Sequence, residues 1–158
     1  MKKHLAKTIL LSLFVIFTIP AFASAGTQHS LSVDMIRLVD KAQYDAMFNI
    51  YYQMSLNNRS ALLAGISIGD DVTIGEAGYK FYLERYFDGP FGQVSINIGD
   101  YDGDTEFGLS GAVGYEKSIV RHLVLSCAVE VTAGSMDNYA TGDNDPIFRP
   151  ILSVVFAF

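Results

Sequence analysis

Between Tyr44 and Leu56 the chain places a large apolar or small aliphatic residue at every second position. Tyr44, Ala46, Phe48, Ile50, Tyr52, Met54 and Leu56 share one parity; Asp45, Asn49, Gln53 and Ser55 share the other. Side chains alternate across a β-strand, so this spacing predicts a strand with one apolar and one polar wall. At helical period the same residues would scatter around the cylinder. The alternation returns in Phe107, Leu109, Gly111, Val113 and Tyr115, in Leu123, Leu125, Cys127, Val129 and Val131, and in Phe148, Pro150, Leu152, Val154, Phe156 and Phe158. Shorter runs follow the same rule at Ala77, Tyr79, Phe81 and Leu83 and at Val94, Ile96 and Ile98. Residues 60–69 fit with Leu62, Ala64, Ile66 and Ile68 opposite Gly65 and Ser67; residues 31–39 put Asp34 and Arg37 on opposite faces. Asn57-Asn58-Arg59, Gly69-Asp70-Asp71, Asp88-Gly89-Pro90 and Asp102-Gly103-Asp104 supply turn chemistry between them. The expectation is eight antiparallel strands and an all-β chain.

Size decides which wall faces in. The apolar parity carries Phe, Tyr, Leu and Ile, whereas the other carries Gly65, Gly78, Gly108, Ser110, Ala112, Gly114, Ser126, Ala128 and Ser153. An eight-stranded cylinder has little interior room, so the small residues suit the inside and the bulky apolar ones a lipid-facing outside. That predicts an up-and-down transmembrane β-barrel. Lys80, Glu84, Glu116, Glu130 and Arg149 then point inward, where Lys80 and Arg149 are expected to neutralise some of the glutamates, because isolated buried ions are costly. Arg85, beside a turn, is expected to reach the interface, and Tyr44, Tyr52, Tyr79, Tyr115 and Phe91 to form interfacial aromatic girdles.

The N-terminus changes the picture. Lys2, Lys3 and Lys7 precede an apolar run from Ile9 to Ile19, and Ala23-Ser24-Ala25 gives a small-x-small cleavage pattern. Residues 1–25 are therefore read as a signal peptide cleaved after Ala25, and residues 26–158 as the barrel domain. The run is shorter than a bilayer-spanning helix requires. Removing residues 1–25 takes three lysines and no acids, which moves the formal net charge from −6 to −9. An acidic exported chain is a poor nucleic-acid ligand. One cysteine cannot form an internal disulfide.

These features, with Phe158 as the last residue, resemble the small eight-stranded outer-membrane β-barrels of Gram-negative bacteria. Gly78-Tyr79-Lys80-Phe81-Tyr82 through Asp88-Gly89-Pro90-Phe91-Gly92 looks like the central hairpin of opacity-protein and OmpX-like barrel domains. The resemblance covers residues 29–158 as an architectural pattern. It implies an outer-membrane location, outer-membrane lipid and lipopolysaccharide as surroundings, and a monomer. It also implies that Leu152, Val154, Phe156 and Phe158 form the C-terminal signal read by the barrel-assembly machinery. With both ends in the periplasm, residues 69–76, 99–106 and 134–146 become outer loops. They carry Asp70, Asp71, Glu76, Asp100, Asp102, Asp104, Glu106, Asp137, Asp143 and Asp145, with no Lys or Arg, while Arg59, Lys117 and Arg121 mark the inner turns.

Candidate chemistry is sparse. A serine nucleophile needs a base within hydrogen-bond reach. After residue 25 only His29 and His122 are available, and Ser126 lies four residues beyond the latter, roughly 13 Å along a strand. The His-x-Ser triplet of lipid A deacylases is absent. Asp100-Tyr101-Asp102-Gly103-Asp104 has the start of an EF-hand loop, but its twelfth position is Gly111 where a bidentate Glu is required. No catalytic residue, metal site or cofactor is expected, and a filled eight-stranded interior is not expected to conduct solutes. The leading expectation is a non-enzymatic barrel with a structural or surface-interaction role. Two alternatives stay open: a lipid-modifying barrel enzyme, and a soluble periplasmic barrel binding an apolar ligand.

Overall fold

The structure, a computed structural model, describes residues 28–39, 46–101, 103–134 and 146–158. The signal-peptide segment 1–25, Tyr44, Asp102, Asp137, Asp143 and Asp145 lie outside the described residues. Eight strands follow in chain order: β1 (His29–Asp34), β2 (Phe48–Asn57), β3 (Ser60–Ile68), β4 (Val72–Tyr82), β5 (Asp88–Tyr101), β6 (Asp104–Val120), β7 (Leu123–Gly134) and β8 (Ile147–Ala157). Each pairs antiparallel with its neighbours in sequence, and β1 closes on β8 to complete a barrel. The fold is all-β, up-and-down and eight-stranded.

Registers place the expected parities on opposite walls. Ile50↔Ile66, Ala64↔Ala77, Ile96↔Leu109 and Val113↔Val129 are cross-strand pairs on the outer wall. Val94, Leu109, Val113, Val129 and Phe156 are all more than half exposed there. Ser67, Ser95, Ser110, Ser126 and Ser153 are buried inside, with Asn49, Gln53 and Asn97. The 60–69 register falls as the sequence suggests: Leu62 is exposed, Ala61, Leu63 and Ser67 are buried.

Glycines make space for rings directly across a ladder. Inside, Tyr51 lies over Gly65 and Phe91 over Gly114; outside, Phe81 lies over Gly92. A Cβ at Gly114 would stand 2.4 Å from the Cys127 carbonyl oxygen and 2.7 Å from the Phe91 ring. Phe91 is therefore an interior residue, only 5% exposed, and leaves the aromatic girdle the sequence suggested. Its parity matches Gln93, Ser95 and Asn97, and a glycine opposite gives the ring room. Around it Ala61, Tyr82, Tyr86, Phe87, Val124 and Val155 form an apolar cluster. This cluster lies at the end of the barrel that carries the start of β1, the end of β8 and the β2–β3, β4–β5 and β6–β7 turns, the termini end. Tyr86 and Phe87 reach it from the β4–β5 turn, with ring centroids 3.9 Å apart, and Phe87 takes a positive φ of 65°.

β1 is the shortest strand, with six residues. It ends at Asp34, opposite Ser153, so the part of β8 from Phe148 to Pro150 extends beyond the β1 ladder. Leu152 directs its N–H and C=O towards β1, so Pro150, two residues earlier, faces the same way. Its missing N–H falls where no strand of the ladder waits for it, the position at which a sheet tolerates proline.

Candidate functional site

Interior charges sit in two clusters stacked along the barrel axis. In the cluster nearer the chain ends, Lys80 Nζ donates to Glu116 Oε1 at 2.7 Å, and Tyr82 donates its hydroxyl to Glu116 Oε2 at 2.7 Å. Gln53 donates to the Tyr82 oxygen at 2.8 Å, and the Lys80 ammonium lies 4.2 Å from the Phe91 ring centroid. Glu116 is 1% exposed, so it does not sit at a wet rim; both its oxygens are satisfied by side chains from other strands. The ladder dictates this meeting, since Lys80 and Tyr82 on β4 and Glu116 on β6 all have inward parity, with β5 alone between them.

The second cluster centres on Arg149. Glu130 and Arg149 are direct partners across the β7–β8 ladder, and Arg149 donates Nη2 to Glu130 Oε1 at 2.9 Å. Its Nη1 reaches Asp34 Oδ2 across the β1–β8 seam. Asp34 does more than pair. Its backbone N–H donates to Asn49 Oδ1 at 2.7 Å, its carbonyl accepts from Asn49 Nδ2 at 2.9 Å, and its Oδ1 accepts from the Leu152 N–H at 3.3 Å. One residue thus fastens the end of β1 to both neighbours. Arg37, in the turn 35–39, folds back inside and donates to the Tyr51 and Ser67 hydroxyls. Glu76 is buried nearby and accepts from Gln93 Nε2 at 3.2 Å.

Of the five residues expected inside, Lys80, Glu116, Glu130 and Arg149 are buried and paired in two clusters, and Glu84 is not. β4 ends at Tyr82, so inward parity no longer applies two residues later, and Glu84 is exposed in the β4–β5 turn. Asp34, Arg37 and Glu76 take part without having been expected there. Arg37 follows the end of β1, where alternation has stopped, and Glu76 lies within β4 although the preceding turn suggested a loop. Charged and polar side chains share the interior with Leu63, Phe91 and Val155, leaving a central cavity of about 50 Å³ between the two clusters. That is room for a water or two.

The two ends differ in charge. At the end opposite the chain termini, Asp70, Asp71, Asp100 and Asp104 are exposed. The expected loop at 99–106 is instead a hairpin of long strands: β5 runs through Asp100 and β6 starts at Asp104, and Asp100 Oδ1 accepts from the Gly103 N–H at 3.2 Å. Residues 69–76 shorten likewise to a three-residue turn. At the termini end, Arg85 and Lys117 both reach Asp88, at 2.6 and 2.8 Å. Lys117 and Arg85 hold the Asp88 carboxyl below its ordinary range. Here a bowl of about 800 Å³ opens, with Tyr86 and Phe87 at its floor.

Remaining chemistry-bearing groups lie apart. His29 Nδ1 shares a hydrogen bond with the Tyr52 hydroxyl on the outer wall, with its ring stacked on Phe158; His122 Nδ1 meets the Ala157 carbonyl at 2.9 Å. Cys127 is a free, exposed thiol on the outer wall. Leu152, Val154, Phe156 and Phe158 share the outer face of β8, and Leu152, Phe156 and Phe158 are exposed. Among the described residues no group of three or more His, Cys, Asp or Glu side chains is placed to hold a metal ion. No family model, curated protein or solved structure matches the chain.

Proposed function

We propose that this chain is an integral β-barrel of the Gram-negative outer membrane, non-enzymatic, with a filled interior and a structural or surface-interaction role. The observation that carries the reading is reversed polarity. Ion pairs and hydroxyls occupy the middle of the interior, beside an aromatic cluster at one end, while Val, Leu, Ile and Phe lie exposed around the outer wall. In water that wall would expose apolar patches far larger than a soluble monomer tolerates; in hydrocarbon it is matched to its solvent. Closure of β1 on β8 leaves the barrel without a free sheet edge along that ladder, which is what a lipid-exposed sheet requires. The charged interior and its small cavity favour this reading over a soluble barrel that stores an apolar ligand inside.

On this reading the termini end faces the periplasm and the acidic hairpin ends face outward. Leu152, Val154, Phe156 and Phe158 form the strand recognised during assembly. The test combines cell fractionation with electrophoresis of boiled and unboiled samples in SDS. The expected outcome is protein in the outer-membrane fraction whose unboiled band migrates apart from the boiled one. Soluble protein with no band shift would sink the proposal.

A further inference from the structure

The bowl at the termini end has no part in the reading above, and its lining is chemically specific. Ser55, Ser118 and Ala157 line it from positions on the inner wall, and Leu56 and Phe158, of outer-wall parity, complete the lining with the turn residues. Tyr86 and Phe87 close its floor, making it a blind pocket, and about 800 Å³ is within the range of ligand sites.

Asp88 is already bridged by Arg85 and Lys117, whereas Arg121, in the β6–β7 turn, has no ionic partner among the described residues. His122 uses Nδ1 on the Ala157 carbonyl, leaving Nε2 for another partner. On the facing side the Asn58 side-chain amide has no hydrogen bond among the described residues, and Asn57 uses only its Oδ1, on the Arg59 N–H. A guanidinium fork matches a carboxylate in two parallel hydrogen bonds, and side-chain amides offer the paired donor and acceptor that a peptide group needs.

We infer that this bowl binds a carboxylate-bearing peptide, with Arg121 on the carboxylate and Asn57 and Asn58 on the peptide backbone. The compartment that supplies it, the periplasm, rests on the proposed function; the binding itself does not. The folded full chain in zwitterionic detergent micelles would be titrated with the peptide Ala-Glu-Glu-Ala, its uncharged counterpart Ala-Gln-Gln-Ala with blocked ends, and a short-chain phosphatidylglycerol, following backbone amide shifts by NMR. The acidic peptide should move Asn57, Asn58, Arg121 and His122, the uncharged peptide should not, and R121Q should weaken binding about tenfold. N58A, which keeps the backbone carbonyl that accepts from Tyr86 N–H, should weaken it as well. Equal shifts with both peptides, shifts with the lipid phosphate alone, no shifts at all, or unchanged affinity in the folded R121Q and N58A proteins would each overturn the inference. Band migration in SDS, measured on the same samples, reads the barrel independently of the peptide.

Discussion

At the scale of single residues, two glycines of β6 separate space from conformation. Gly114 faces inward beneath Phe91 and against the Cys127 carbonyl, whereas a Cβ on Gly111 would come no nearer than 4.0 Å to the Gln93 oxygen. Gly114→Ala should therefore cost about 1–3 kcal/mol through overpacking, and Gly111→Ala should fall within about 0.5 kcal/mol of the parent. Urea unfolding of both variants in the same lipid decides it; similar losses would mean the wall, not the ring contact, sets the cost. Asp88 makes a pH prediction. Its carboxyl titrates below its ordinary value of 3.8 because of Lys117 and Arg85, so the stabilisation it lends is present above that value and fades as pH falls through the lowered one. Amide shifts of the β4–β5 turn should change in that acidic window and lose the change in Asp88→Asn.

The facing of the strands was legible in their alternation, the extent less so. From β4 to β8, strands of 11 to 17 residues repeat the alternation often enough to give facing, but β4, β5 and β6 extend through residues 72–76, 99–101 and 104–106 that their turn chemistry suggested as loops. What parity cannot say is where a strand stops. Glu84 lies two residues past the end of β4, and Arg37 three residues past the end of β1, so one was placed inside wrongly and the other was not counted among the inward charges. Asp34 could not be singled out because its partners, Asn49, Arg149 and Leu152, are up to 118 residues away and only closure brings them together. The expected consequence is disproportionate. Removing one member of a buried ion pair typically costs about 3–5 kcal/mol, so Asp34→Ala should destabilise the barrel by that order, although it lies in the shortest strand. A double-mutant cycle with Arg149→Met would measure the coupling, and a value near zero would refute the role of the pair.

Taken as a whole, the molecule is organised along its axis: acidic hairpin ends, an ion-paired middle, an aromatic floor, then a bowl edged with cations. The central cavity of about 50 Å³ lies between Lys80–Glu116 and Glu130–Arg149–Asp34. Reconstituted in a planar bilayer, the protein should show no steady ionic conductance; open channels of fixed size would contradict the packed interior. Parity alone foretold that inward charges would pair, but the identity of the pairs depended on which rungs of the ladders line up.

Closure by β1 has a kinetic corollary. Seven ladders join strands that are adjacent in sequence, whereas the eighth pairs Ser30 to Asp34 with Ala157 to Ser153, nearly the whole chain apart. Loop-closure entropy must be met before that contact gives anything back, so it should form last. The fastening at Asp34 would then be absent from the rate-limiting state for hairpin assembly. Its loss should quicken unfolding and leave the early refolding rate nearly unchanged, so that Asp34 governs how long the finished barrel endures more than how fast it is built.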